Sequence, residues 1–185
     1  MAASIFLLSA VIFFFNTAAS ENAADQAMEN QFDRLFELIS FIMEAHPLVS
    51  ILLVFMNNFI SMAQMLLLGV VAGISPLATM GINGALVGVM FSLTVEQGIP
   101  LLPIIIFGIL PHGIFELFAF FLCGALGLKF GYHCIASPLP GKTRMQSYRF
   151  IWKEAISVLP LVVLLLIAAA FIEVLLTPRL LQLIL

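Results

Sequence analysis

His112 and Glu116 stand one helical turn apart in Leu110-Pro111-His112-Gly113-Ile114-Phe115-Glu116, a polar knot inside an otherwise apolar run. Residues at i and i+4 share a face of a helix. An imidazole and a carboxylate on one face can hold two ligand positions of a metal ion or relay a proton. Pro111 at the first turn of a helix loses nothing by lacking an N–H. A second acid, Glu173, lies far along the chain in another apolar run, and no Lys or Arg sits at comparable depth to pair with either acid. In hydrocarbon an isolated carboxylate is stable only as the neutral acid or with a bound cation. The candidate ion-binding groups are therefore His112, Glu116 and Glu173, with the amides Asn57, Asn58 and Asn83. Of these, His112 and Glu116 are the candidate metal ligands, for a divalent ion. The competing reading makes the same groups interhelical hydrogen bonds, and it suits Ser61 and Gln64 best.

The elements that carry these groups are membrane helices. Apolar residues make up 63% of the 185 and charged residues 9%, far from the proportions of a soluble domain. Several runs approach or exceed the roughly 20 residues that cross a bilayer, and they lack the alternation of a transmembrane β-barrel. The expected fold is an all-α polytopic bundle of about five transmembrane helices in contact with the lipid bilayer. Residues 1–20 form the first helix. The alternative, a cleaved signal peptide ending near Ala18-Ala19-Ser20, lacks the usual basic start.

Residues 21–46 read as an amphipathic, acidic, external or interfacial helix, with Phe32, Leu35, Phe36, Ile39, Ile42 and Met43 opposite Asp33, Glu37 and Ser40. Residues 47–185 form the core bundle. Its second span starts at Pro47 and its third at Ser75-Pro76. Ile99 to Phe130 is too long for one straight span. Either a long helix is kinked at Pro111, or Pro103 to Leu110 forms a re-entrant half-helix before a full span begins at Pro111, and the re-entrant form is the expectation. Thr177-Pro178 is expected to end the last span. Gly69, Gly73, Gly84, Gly88 and Gly113 mark faces where another backbone can come close, which points to a homodimer through glycine-rich faces.

Five of the seven basic residues (Lys129, Lys142, Arg144, Arg149, Lys153) flank or lie in the polar loop 131–153. The positive-inside rule puts that loop in the cytoplasm, which leaves the N-terminus inside and the C-terminus outside the cell membrane. Such a charge split reflects topology, and no nucleic-acid partner is expected. His133-Cys134 is better read as a helix end than as a metal pair, and Cys123 as a small hydrophobe. The chain has neither His-Glu-x-x-His nor Gly-x-Ser-x-Gly, so no enzyme is expected and no residue is a catalytic candidate.

One ordered set of motifs is distinctive. Asn57-Asn58, Gly69-x-x-x-Gly73, Asn83-Gly84-x-x-x-Gly88, the stretch 110–116, and Phe171-Ile-Glu-Val-Leu-Leu-Thr-Pro178 resemble the stage II sporulation protein M family over roughly Pro47 to Pro178. The resemblance implies a small integral membrane protein with about five spans, and it marks His112, Glu116, Asn58, Asn83 and Glu173 as motif positions without assigning them chemistry. In endospore formers the namesake is a membrane anchor for a peptidoglycan-degrading complex. The wider family also occurs in organisms that make no spores. The resemblance thus implies a scaffold for envelope-remodelling proteins. The unpaired acids point instead to a transporter or channel for a cation or small polar solute.

Overall fold

The computed structural model describes residues 1–19 and 46–183, without the side chains of Ala18, Ala19 and Cys134. The amphipathic helix expected at 21–46 lies outside the described residues except for His46. The described residues are mostly helical, and from Pro47 onward the helices are joined by short connections. The helices are α1 (Ala2–Ala19), α2 (Pro47–Leu68), α3 (Ile74–Glu96), α4 (101–135) and α5 (144–181). Four stretches are long and apolar enough to cross a membrane: Pro47–Leu68, Ile74–Glu96, Leu101–His133 and Arg144–Leu181. The shorter apolar α1 lies along α3.

Local chemistry sets the ends. Pro47 occupies the first turn of α2, and His46 caps it by accepting the Leu48 N–H on Nδ1 at 3.3 Å. Thr143 and Gln146 form a reciprocal capping box at the start of α5. The α2–α3 turn is tight because Ala72 and Gly73 adopt φ of 57° and 69°. Glycine takes that conformation without a steric penalty.

Glycines then set the packing. A Cβ on Gly69 would lie 2.6 Å from the Gly127 carbonyl oxygen of α4, and one on Gly131 would lie 2.5 Å from the Cα of Gly73. Both contacts share one offset in numbering, so α2 and α4 run parallel with their backbones touching. Gly84 and Gly88 press in the same way on the Phe6 and Ala10 carbonyls, so α1 and α3 also run parallel. The Ser9 hydroxyl ties that pair by donating to the Gly81 carbonyl at 2.7 Å. The helices therefore alternate in direction. The start of α1, the α2–α3 turn and the basic α4–α5 connection share one end of the bundle.

Gly69, Gly73, Gly84 and Gly88 are thus consumed by contacts within the chain, and they do not form the free face that a dimer through glycines requires. Gly113 is buried but meets only Ile109 of its own helix, so it brings no second helix close.

Met62, Met65, Met80, Phe120, Cys123, Leu126, Ile151 and Leu166 make the buried centre. Phe6 carries α1 onto α4 through edge contacts with Phe120 and Phe121. At the basic end the fully buried Phe130 packs against Tyr148 and Trp152, and Lys129 pairs with Glu154 across α4 and α5. The connection folds back over α5 because the buried Ser147 hydroxyl accepts the Leu139 N–H and donates to the Thr143 carbonyl.

The favoured re-entrant segment does not form. Residues 101–135 make one uninterrupted helix that contains a π-helical turn, Ile104–Ile109. Nor does Thr177-Pro178 end the last span. α5 passes through a second π-turn, Ile172–Leu176, and continues to Leu181. Helical backbone satisfies its polar groups internally, which hydrocarbon demands.

Candidate functional site

Each of the two π-turns immediately precedes the turn that holds a proline, whereas Pro160 is passed in regular α-helix. A proline inside a helix lacks a donor and strikes the carbonyl four residues back. At the two π-turns the residue before the proline donates five residues back instead: Leu110 N–H to the Ile105 carbonyl, and Thr177 N–H to the Ile172 carbonyl. The residues two before the prolines, Ile109 and Leu176, absorb the distortion at φ of −103° and −100°. The fresh α-segments then begin with Pro111 and Pro178 in their first turns. Single π-turns of this kind concentrate at functional sites.

The two irregular stretches pack on each other. The tail Thr177–Leu181 lies against Ile104–Ile109, and a Cβ on Gly108 would come within 3.3 Å of Leu181. This juxtaposition delivers His112 and Glu116 from α4 to Glu173 from α5. One ligand atom from each lies within 4.8 Å of the others, and all three side chains are partly buried. Among the described residues the one ion pair is Lys129–Glu154, so no Lys or Arg neutralises either acid of the cluster.

His112 has an orienting partner. Its Nδ1 lies 3.2 Å from the hydroxyl of the buried Thr177, which in turn donates to the Ile172 carbonyl at 3.3 Å. If the hydroxyl proton goes to that carbonyl, the hydroxyl accepts from Nδ1–H, and the Nε2 lone pair is then the one free to bind an ion. Donor atoms around one tetrahedral ion stand about 3.4 Å apart at bond lengths near 2.1 Å. Side-chain rotation of about an ångström would therefore close the three groups on an ion, and the donor set fits.

The other predicted positions divide. Asn58 is half-buried on α2, a helix that also touches the π-turn Ile172–Leu176. Asn57 is exposed and donates to the Asn58 side chain at 3.5 Å. Asn83 spends its amide on the Thr79 carbonyl of its own helix at 2.8 Å and is not brought to the cluster. Gln64 is exposed and Ser61 half-buried, while Cys123 is buried in the core. His133 Nδ1 bonds the Ser137 carbonyl at 2.6 Å, as a helix-end residue does.

Sequence reasoning missed Thr177 as a site residue. The signal was present, since Glu173 and Thr177 are four apart, but Pro178 made the position look like a terminus. Thr177→Val keeps the shape and removes the orienting hydroxyl. It is expected to weaken metal retention about 10- to 100-fold with thermal stability little changed, as read by competition with a calibrated chelator.

A bundle of long apolar helices with a polar cluster buried among them defines a multi-pass helical membrane protein. Residues 2–178 match the stage II sporulation protein M family. The chain belongs to that family, and the match takes in α1 as well as the region from Pro47 onward. No curated protein and no solved structure matches the chain.

Proposed function

We propose that the chain holds a cation at His112, Glu116 and Glu173 and moves it, or a small polar solute coupled to it, across the membrane. One observation carries this reading: residues about 60 positions apart converge within 4.8 Å, Glu173 inside one π-turn and His112 and Glu116 in the helix that follows the other. Two carboxylates balance a divalent charge, so the loaded site would be electrically neutral in a medium that penalises net charge. The test is flux of Zn²⁺ or Mn²⁺ into proteoliposomes. Transport predicts uptake that falls to the level of empty vesicles in Glu116→Gln, and uptake indifferent to Glu116 removes the reading.

Family membership supports a second reading, a membrane anchor that gathers envelope-remodelling partners. A pull-down from native membranes that recovers a stoichiometric partner favours it. Neither reading includes an enzyme. We place the protein in the cytoplasmic membrane with the basic connection and the N-terminus inside and the C-terminus outside, on the positive-inside rule. Any homodimer is proposed to use the outer face of α2, where Asn57 and Gln64 are exposed. Hydrogen bonding across a pair of helices would satisfy both amides. Replacing both by Leu is expected to shift the purified protein from dimer to monomer in cross-linking.

A further inference from the structure

The basic end of the bundle carries a second feature, remote from the acid cluster. Lys142, Gln146, Arg149, Phe150 and Lys153 line an open hollow of about 410 Å³. Gln146, Arg149 and Lys153 share one stripe of α5, and Lys142 is brought over it from the connection, its Nζ 5.2 Å from the Phe150 ring. No carboxylate pairs with these cations among the described residues, and the nearest acid in sequence, Glu154, is engaged by Lys129.

On the adjoining stripe of α5 begins an apolar groove of about 170 Å³ between α2, α4 and α5, lined among others by Phe59, Met62, Leu66, Trp152, Ile156 and Leu159. Its α5 wall runs from Trp152 to Val162, roughly 15 Å at the helical rise. That is half the roughly 30 Å hydrocarbon core, the depth of one leaflet. Cationic hollow and apolar groove therefore follow each other along the bilayer normal as headgroup and acyl chain do.

We propose that this face binds one anionic phospholipid, its phosphate held by Lys142, Arg149 and Lys153 and one acyl chain laid along Trp152, Ile156 and Leu159. Charge complementarity selects an anionic over a zwitterionic headgroup, because three uncompensated cations meet the phosphate and no acid faces it.

The full-length protein, purified in detergent and stripped of lipid, is titrated with phosphatidylglycerol and with phosphatidylcholine of the same chains, and bound lipid is counted by native mass spectrometry. Phosphatidylglycerol is expected to bind more tightly. Arg149→Gln is expected to weaken it about fivefold, and the triple variant K142Q/R149Q/K153Q about 100-fold. Arg179→Gln, at the other end of the bundle, should leave it unchanged. Lys142, Arg149, Lys153 and Ile156 are exposed, so these variants keep the core, and an unaltered melting temperature verifies it. Ile156→Trp, which fills the groove, should lower binding of both lipids.

Equal affinity for the two lipids, or a triple variant that binds as the wild type does, overturns the proposal. So does Ile156→Trp without effect, or displacement of the lipid by millimolar inorganic phosphate alone, which would make the hollow a site for small anions.

Discussion

Replacing Glu116 by Gln together with His112 by Ala is expected to strip the purified protein of a divalent metal that the unaltered protein carries at about one equivalent per chain. The effect should be large because two of the three strong donors are lost at once. The cluster has three strong donors, and the double change leaves Glu173 alone. One carboxylate holds a divalent ion weakly in any solvent, and in hydrocarbon the complex would also keep a net charge. The mixed nitrogen and oxygen donor set suits zinc, manganese or ferrous iron better than copper(I), which prefers sulfur. Plasma emission analysis of protein and variant prepared side by side reads the result. Absence of metal from both, with the variant melting earlier, would mean that the three groups form a neutral hydrogen-bonded lock and that cation transport loses its foundation.

The second large effect falls on stability. Gly131→Ala adds a single methyl group, yet that methyl would sit 2.5 Å from the Gly73 Cα and 2.6 Å from the Ala72 carbonyl carbon. Both are backbone atoms in the tight α2–α3 turn, so no rotamer change relieves the clash and two helices must part. A loss above about 3 kcal/mol is expected, the range of overpacked or strained positions. Gly81→Ala is the control, since its Cβ would meet nothing within 4 Å, and helix propensity predicts a gain of roughly 0.5–1 kcal/mol. Thermal melts in one detergent should separate the pair clearly. Equal melting temperatures would show that the α2–α4 contact is looser than described.

Much of this architecture is readable from residue order. The apolar runs give the helices, and the ends of α1 and the start of α2 fall where composition changes and where Pro47 opens a turn. The pairing of His112 with Glu116 follows from the α-helical period alone. What the sequence does not carry is how a helix passes a proline. Pro111 and Pro178 remove the same donor whether the chain breaks, re-enters or widens by one residue, and hydropathy is blind to the difference. Glycine spacing raises a similar ambiguity. It announces a close backbone, but Gly69 and Gly84 look alike whether the neighbour is α4, α1 or another copy. Convergence of Glu173 on His112 depends on both matters at once, so residue order marks the two as candidates without dictating that they meet.

Each π-turn also changes the phase of everything beyond it. An α-helix advances about 100° per residue, so one inserted residue rotates the remainder of the helix by more than a quarter of a circle relative to a regular continuation. In α5 the part beyond the turn holds Thr177 and Leu181, which meet His112 and Gly108. Deleting one residue from Ile172–Leu176 would leave the composition, hydropathy and length of the span almost untouched. It would nevertheless swing the hydroxyl and the leucine away from α4. The angular setting of the cluster thus resides in a residue count, and a sequence in this family that is one residue shorter between Phe171 and Pro178 has a differently aimed site even when every polar residue is retained.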